Sequence, residues 1–506
     1  MSGKGGMKAE EQRAEYAVGS ARLEAVIHQD DAAGICDNWP VLAIEEVADV
    51  NPRVDKAAIP NELPVSFVPM PKVGAGDGSI HVEETRPASE VKKGFTAFLE
   101  GDVLFAKITP CMENGKMAVV PKLVNGYGFG STEFHVLRPK PGMDAKYLYY
   151  YVSSQAFRGE AERYMTGAVG QKRVSTTHLK QSTIPVAPPD QQKRIVAEIE
   201  KQFSRLDEAV ANLKRVKANL KRYKAAVLKA AVEGRLVETE AELVRREGRS
   251  YETGAQLLQR ILETRRSQWQ GKGKYKEPAA PDTTGLHELP EGWVWATVDQ
   301  LAASEPNSIT DGPFGSNLKT EHYQGTGPRV IRLQNIKDGE FADEYAHISA
   351  SHFDRLRKHE IHGGDLVIAS LGDNPPRACI IPQFVGPAIV KADCIRFKPY
   401  SALIPAYLNT ALNCQPTRRR VKDVLHGIGR PRLSLGEIRE IALPTPPVNE
   451  QHRIVAEVDR RLSLIRTTEA QVDDNLQRAE RLRQSILAQA FSGRLKLSEK
   501  SVGEVA

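Results

Sequence analysis

IPVAPPDQQKRIVAEIEKQFSRL, residues 184–206, returns as LPTPPVNEQHRIVAEVDRRLSLI, residues 443–465, and this recurrence decides how the chain is organised. The pentapeptide from Arg194 to Glu198 is repeated identically from Arg453 to Glu457, and Gly234, Arg235 and Leu236 recur as Gly493, Arg494 and Leu495. From Gly170 to Leu236 the match to Gly429–Leu495 runs without a gap at one offset of 259 (429 − 170 and 495 − 236). Two matches at one register define an internal duplication, and a duplication sets the architecture before any single element is assigned.

Upstream the register wanders. Gly101-Asp102 in GDVLFAKI answers Gly364-Asp365 in GDLVIASL at an offset of 263, and Trp39 answers Trp293 at an offset of 254. The two copies thus share an element of fixed length while the parts before it have diverged. An element that meets the same partner twice, or meets its own twin, keeps its length and face; two readers of different ligands are free to drift apart. Neutral drift of a duplicated scaffold is the plainer alternative.

The conserved-length element reads as a helix. Ile195, Ile199, Phe203, Leu206, Val210, Leu213, Val216, Leu220, Tyr223 and Val227 fall at three- and four-residue steps, as do Ile454, Val458, Leu462, Ile465, Val472, Leu482 and Ile486 in the second copy. Such spacing lines one face of an amphipathic helix. Each run follows two prolines (Pro188-Pro189, Pro446-Pro447), has Asp190 or Asn449 available as N-cap, and ends near Gly234 or Gly493, which is the expected start and stop chemistry. Gln192–Glu233 is 42 residues (233 − 192 + 1), and at a rise of about 1.5 Å per residue it makes a rod on the order of 60 Å. A rod of that length cannot bury one face alone. Pairing with its twin as an antiparallel coiled coil, with the globular parts at opposite ends, is the expected solution, and it would act as a ruler.

Residues 38–187 and 292–447 mix strand-like runs (VLFAKI, FHVLRP, RVIRLQNI, DLVIAS, CIRFKP) with loops rich in Gly, Pro and Asn and short helices such as AKYLYYYVSSQAF. Two mixed α/β domains alternating with the two long helices fit that pattern. The parse is a tail over 1–37, a globular domain over 38–187, a helix over 188–236, a linker over 237–291, a second globular domain over 292–447, a second helix over 448–495 and a tail over 496–506. Within the linker, AQLLQRILETRRSQW is an amphipathic helix and GKGKYKEPAAPD a flexible join.

Bulk properties narrow the function classes. At 506 residues the chain is long enough for about three folded units. With 70 Lys+Arg against 64 Asp+Glu, a net charge of +6 mildly favours an acidic partner. The five cysteines (Cys36, Cys111, Cys379, Cys394, Cys414) contain no CxxC pair, which argues against a disulfide framework and a zinc ribbon and suits a reducing cytoplasm. The N-terminus lacks the apolar core of a signal peptide, and eighteen consecutive apolar residues occur nowhere. A cytoplasmic protein without a membrane span is expected.

Catalytic constellations fare poorly. Asn374-Pro375-Pro376 is similar to the NPP(Y/F) loop of amino-methyltransferases, yet Arg377 stands where an aromatic ring should stack on a flipped base and no Gly-rich SAM loop precedes it; a plain turn explains it. His359-Glu360-Ile361-His362 is one residue short of HExxH and reads as a solvated loop, since its spacing does not put both imidazoles on one helical face. GAGDGS (74–79) and GKGG (3–6) lack the spacing of a phosphate loop. Asp190 and Lys193 become Asn449 and His452 in the second copy, so they do not form a nuclease pair. No catalytic residue and no metal site is expected.

With two domains each followed by a helix, ELPEGWVWATVDQLA (288–302) opening the second half and PP-x-x-EQ-x-RIVAE opening the second helix, the chain resembles the specificity subunit of a type I restriction–modification enzyme over nearly its whole length. The resemblance implies two target-recognition domains, each reading half of a split double-stranded DNA sequence in the major groove. It implies paired helices that fix the spacer and dock two methyltransferase subunits, with restriction/translocase subunits completing the complex. Base flipping and methylation, with SAM, ATP and Mg, would then belong to those partners, and this chain would carry no cofactor. The alternatives are a solitary specificity subunit acting as a regulator, and a coiled-coil scaffold that does not bind DNA.

Groove contacts call for Arg, Lys, Asn and Gln on loops. Lys172 and Arg173 in GQKRVS align with Pro431 and Arg432 in GRPRLS, with Arg430 alongside, so Arg173 and Arg432 close the two domains at equivalent places. Their plainer role is structural salt bridging. AKITPCMENGK adds Lys107, Thr109, Asn114 and Lys116 in the first domain; Ser316, Asn317, Lys319, Arg332, Gln334 and Asn335 are the corresponding candidates in the second. On the first helix Lys214, Arg215, Lys217, Lys221, Arg222 and Lys224 form a basic run, whereas the matching stretch of the second helix holds Asp473, Asp474 and Glu480. This predicts electrostatic attraction between the helices.

Overall fold

The computed structural model describes residues 39–168, 170–269, 273–427 and 429–497. The tail expected over 1–37, and all but the first two residues of that over 496–506, lie outside the described residues. The chain divides into two compact units, Met1–Arg215 with Val472–Ala506, and Val216–Gln471. The division falls within both long helices rather than at their ends, so each helix contributes one part to each unit.

In the first unit the strands are β1 (Val41–Ala43), β2 (Ala48–Val50), β3 (Pro64–Val68), β4 (Thr85–Pro87), β5 (Thr96–Leu99), β6 (Val103–Ala106), β7 (Met117–Val119), β8 (Tyr127–Gly130), β9 (Phe134–Pro139) and β10 (Thr183–Pro185). They make two four-stranded sheets, β2-β9-β6-β7 and β4-β3-β8-β5, and a two-stranded ribbon, β1-β10. β3 and β8 run parallel, with Phe67 opposite Phe129; the other pairings are antiparallel. Val103, Leu104, Phe105 and Ala106 of β6 are all buried. A strand covered on both faces reads as a continuous apolar run, which is why VLFA was legible.

The stretch AKYLYYYVSSQAF is two helices rather than one, Ala145–Ser153 and Gln155–Arg163. Ser154 is extended between them and its hydroxyl accepts from Phe157 N at 3.3 Å, so a serine turns the chain and caps the next helix. Asp144 caps the first by accepting from Lys146 N and Tyr147 N at 2.8 and 2.9 Å.

The second unit repeats the plan. Its strands are β11 (Val294–Thr297), β12 (Ile309–Thr310), β13 (Tyr323–Ile331), β14 (His347–Ile348), β15 (Glu360–Ile361), β16 (Leu366–Ala369), β17 (Arg377–Ile380), β18 (Ala388–Val390), β19 (Cys394–Phe397) and β20 (Ala442–Thr445). The sheets are β12-β19-β16-β17 and β14-β13-β18-β15, with the ribbon β11-β20, and β13 runs parallel to β18 as β3 does to β8. Two linker helices, Glu240–Glu247 and Gly254–Ser267, pack in this unit; Leu257 and Ile261 share a core with Trp293, Ala296 and Tyr407.

The long helices span Pro189–Val232 and Val448–Phe491. Both begin earlier than the sequence suggested, so Asp190 and Asn449 lie inside the first turn and do not cap it. In the first unit the opening turns of the first helix (Ile195, Val196, Ile199, Phe203) share a core with the closing turns of the second (Ile486, Leu487, Ala490). In the second unit the closing turns of the first helix (Val227, Ala231) share a core with the opening turns of the second (Ile454, Val458). Start against end within each unit is the antiparallel arrangement, and each fully buried Ile or Leu in it contributes about 1.5–3 kcal/mol. In the first unit the helices are also joined by an ion pair from Arg483 to Asp207, and the Arg483 guanidinium lies 4.3 Å from the Phe203 ring centre. The acid of that pair, Asp207, lies before the basic run of the first helix, which begins at Lys214.

Candidate nucleic-acid interface

Each unit builds the same small constellation around an arginine. In the first, the backbone of Arg173 bridges both Ile108 and Thr166. Thr109 N donates to Lys172 O at 3.0 Å and Val174 N to Lys107 O at 2.9 Å, so the AKITP segment and the QKRV segment lie side by side. Gly167 closes the intervening loop at φ 130°, and a Cβ there would stand 2.8 Å from Gln171 O, so this loop requires glycine. The Arg173 guanidinium grips Glu133 with Nε and Nη2 at 3.0 and 2.7 Å. Arg173 holds the Glu133 carboxyl below the usual carboxylate range, the hydrogen bonds first, and the Lys107 charge acts in the same direction.

In the second unit the backbone of Arg432 bridges Leu371 and His426. Gly427 takes φ 94°, and its Cβ would meet Arg430 O at 2.9 Å. The Arg432 guanidinium pairs with Asp393 at 2.8 Å and lies 5.6 Å from the centre of the exposed Phe314 ring. Asp393 is held at φ 67°, and its backbone N–H donates to Asp311 Oδ1 at 3.0 Å. Burial, and secondarily the Asp393 charge, pushes the Asp311 carboxyl up. Arg173 with Glu133 and Arg432 with Asp393 are therefore equivalent ion pairs, each partly open to solvent.

The remaining candidates sort by what their polar atoms already do. Lys172, Asn114, Ser316, Lys319 and Arg430 are exposed, and Lys319 lies 3.6 Å from Glu321. Asn317 is exposed while donating to Phe314 O at 3.2 Å. Thr109 is half-buried over Met165 Sδ, and Lys116 is half-buried with its ammonium on Met70 O at 3.2 Å. Arg332 donates to Tyr345 O at 3.1 Å and Gln334 to Glu344 at 2.6 Å. Asn335 is a correction: it is fully buried, donates to Ala342 O and Glu344 O at 2.8 Å each and accepts from Arg332 N at 2.9 Å. All its amide capacity goes to closing the turn, so it cannot present an amide to a base. Lys107, Thr109, Lys172 and Arg173 are brought together; Arg332 and Gln334 sit on the β13–β14 side, apart from Arg432 in sequence and in sheet.

Sequence reading missed Glu133, Asp311, Asp393 and Phe314. The signal available was positional: Glu133 and Asp393 each precede the β9 or β19 strand by one residue. It also misplaced His359, which is buried with Nδ1 2.5 Å from Asp311 O rather than in a solvated loop. Asn374-Pro375-Pro376 is the expected turn, between β16 and β17. Among the described residues no group of three metal-ligating side chains occurs, and no helix is long and apolar enough to cross a membrane.

Each unit is thus two four-stranded sheets and a ribbon packed on antiparallel helix segments, with a partly exposed arginine–carboxylate pair at the equivalent place. Comparison with known proteins finds chains similar to this one. Residues 36–222 match the family model described as the type I restriction modification DNA specificity domain. The chain is 28% identical over 489 residues to the type I restriction enzyme EcoAI specificity subunit of Escherichia coli, covering 86% of this chain and 80% of that one. It is 25% identical over 474 residues to the EcoEI specificity subunit of the same organism, covering 84% and 77%. Its fold is similar to a chain in a structure of a type I R-M system (TM-score 0.66, 17% identity, 92% of this chain and 100% of that one). It is also similar to the HsdS subunit from Thermoanaerobacter tengcongensis (TM-score 0.54, 17% identity, 91% and 98%). Over most of its length the chain is similar to type I restriction enzyme specificity subunits, and residues 36–222 match the DNA specificity domain of that system.

Proposed function

We propose that this chain is the sequence-reading subunit of a type I restriction–modification complex, recognising a bipartite double-stranded DNA target and docking the methyltransferase and restriction subunits that act on it. The observation that carries the reading is the repetition of one recognition architecture in which the sheet order is kept and the loop chemistry is not. Arg173 and Arg432 sit at the same place, yet Lys107 is answered by Ser370 and Thr109 by Gly372 next to the bridging residues Ile108 and Leu371. Base-edge contacts depend on donor and acceptor identity at each position, so two domains of one shape and different loops suit two different half-sites.

Direct contact falls to the exposed residues Lys172, Arg430 and Arg432 and the half-buried Arg173 for phosphates, and to Asn114, Ser316 and Asn317 for base edges. Two methyltransferase subunits, one for each copy, follow from the twofold plan. SAM, ATP and Mg belong to partners on this reading, the chain itself performs no chemistry, and the complex works in the cytoplasm.

The test is domain exchange. Replacing residues 38–187 with the first domain of a relative should change one half of the methylated sequence and leave the other half and the gap unchanged. A change in both halves, or in neither, would reject the assignment of one half-site to each domain.

A further inference from the structure

Phe314 is 48% exposed, yet the loop that carries it, between β12 and β13, is fixed at both ends. At the near end Asp311 Oδ1 accepts from Gly312 N at 2.7 Å and from Asp393 N at 3.0 Å, and Asp311 O meets His359 Nδ1 at 2.5 Å. A Cβ on Gly312 would collide with the backbone of Lys391. At the far end Leu318 is buried in a core with Val330, Phe353 and Ile389, and His352 Nε2 lies 2.9 Å from Asn317 O. Between these anchors Asn317 Nδ2 donates to Phe314 O at 3.2 Å and closes the turn. The second unit thus holds an apolar ring out to solvent on a loop whose backbone is already bonded.

The neighbours of the ring indicate the chemistry of its partner. The Arg432 guanidinium, paired with Asp393 at 2.8 Å, lies over the ring 5.6 Å from its centre, and Ser316 and Asn317 are exposed on the same turn. Cationic, polar and apolar groups together match a DNA groove that offers phosphates, base edges and an apolar group. The thymine C5-methyl is the apolar group that base pairs present in the major groove, whereas the minor groove shows acceptors and the guanine amine. A wedge inserted between base steps needs both faces of its ring bare, and here the guanidinium covers one. Resting on the DNA-reading function proposed above, we propose that Phe314 is a specificity-determining residue of the second unit. Its ring packs on the C5-methyl of a thymine in the half-site that this unit reads, while Arg432 engages a neighbouring phosphate.

The first unit has the matching loop without the ring. β2 pairs with β9 as β12 pairs with β19, and Asn51 Oδ1 accepts from Val136 N at 3.0 Å where Asp311 accepts from Asp393 N. The loop then continues Pro52-Arg53-Val54 and holds no aromatic residue before β3. The methyl contact is therefore confined to one half-site.

The experiment uses the chain assembled with its partner methyltransferase subunits and duplexes carrying the methylated motif. The half-site of the second unit is the one left unchanged when residues 38–187 are exchanged. Each thymine of that half-site, on either strand, is replaced singly by uracil, which removes only the methyl group. One replacement should weaken binding by the native chain about 3–5-fold, the weight of one buried methyl. Phe314→Ala should lose at least as much on the thymine duplex and show no further loss with uracil, and Phe314→Leu should keep part of the uracil sensitivity. Uracil in the other half-site should act equally on the native chain and on Phe314→Ala. A second half-site without thymine, or uracil effects that are unchanged in Phe314→Ala, would overturn the proposal while leaving the split-site reading intact. A Phe314-dependent rise in 2-aminopurine fluorescence within the half-site would place the ring between bases and overturn it too. A methylome without any gene-dependent split motif would defeat the parent reading, and this inference with it.

Discussion

Gln192 and Gln451, 259 positions apart, make the same two bonds in their respective units. Gln192 Nε2 donates to Ala187 O at 2.8 Å and its Oε1 accepts from Asp144 N at 2.8 Å; Gln451 Nε2 donates to Pro446 O at 2.9 Å and its Oε1 accepts from Ile404 N at 3.0 Å. Both side chains are fully buried. Each ties the start of a long helix to the start of the short helix that follows the sheets, Ala145–Ser153 or Pro405–Asn413. Nearby, Tyr147 and Tyr407 donate to Pro185 O and Pro444 O at 2.9 and 2.8 Å. These amides and hydroxyls fix how each recognition domain sits on its own helix.

Gln192→Ala or Gln451→Ala should therefore leave buried backbone groups unpaired and cost about 1–3 kcal/mol each. Urea unfolding of the whole chain measures the loss, and hydrogen exchange locates it. Gln192→Ala should speed exchange across Thr183–Pro185 and leave Ala442–Thr445 unchanged; equal effects in both ribbons would reject the equivalence.

Gly254 opens the second linker helix against the backbone of the β11–β20 ribbon, where a Cβ would stand 2.3 Å from Thr445 O and 3.0 Å from Gly292 O. Gly254→Ala should destabilise the second unit by about 1–3 kcal/mol, because backbone on both sides cannot yield. Gly159→Ala, in a helix with open space at the Cβ, should instead stabilise by about 0.5–1 kcal/mol. Differential scanning calorimetry of the two variants distinguishes the cases, and loss of stability at Gly159 would contradict the packing.

Glu450 is buried and lies beside Glu240, and burial pushes its carboxyl up to about 6. A carboxyl whose folded pKa exceeds its unfolded value binds its proton more tightly when folded. Stability should then fall as pH rises from about 4.5 to 6 by about 2 kcal/mol. Glu450→Gln, the amide already present at Gln191 in the first unit, should abolish that component. An unchanged pH profile between those limits in Glu450→Gln would refute the assignment.

The long helices, the duplication and the mixed α/β class were legible because they rest on local periodicity and on one offset. What stayed hidden was non-local. The parallel pairing of Ser66–Val68 with Gly128–Gly130 joins segments some sixty residues apart that carry no mutual signal. Asn335 looked like a groove amide because a buried, fully bonded asparagine and an exposed one are the same letter. Arg173 and Arg432 were found by register, but their partners Glu133 and Asp393 were not, because an ion pair across 40 residues follows from the sheet and not from any motif. Gln192 and Gln451 could have been found: they are identical at the offset of 259, beside a glutamate in only one copy.

Arg173→Ala and Arg432→Ala should each weaken DNA binding by the assembled complex, mildly and at all sequences, and reduce the slope of log affinity against log salt by about 0.9. Asn335→Ala should lower stability and leave the salt slope as it was. Titrations at several salt concentrations check both; a slope unaffected by either arginine would remove them from the interface.

The central claim is that this chain reads two half-sites at a fixed separation. Methylome sequencing of cells with and without its gene, in the presence of the partner methyltransferase, tests it most directly. The account predicts one split motif with a constant gap that disappears with the gene and whose gap changes when four residues are deleted from both long helices. A methylome with no gene-dependent split motif would contradict it.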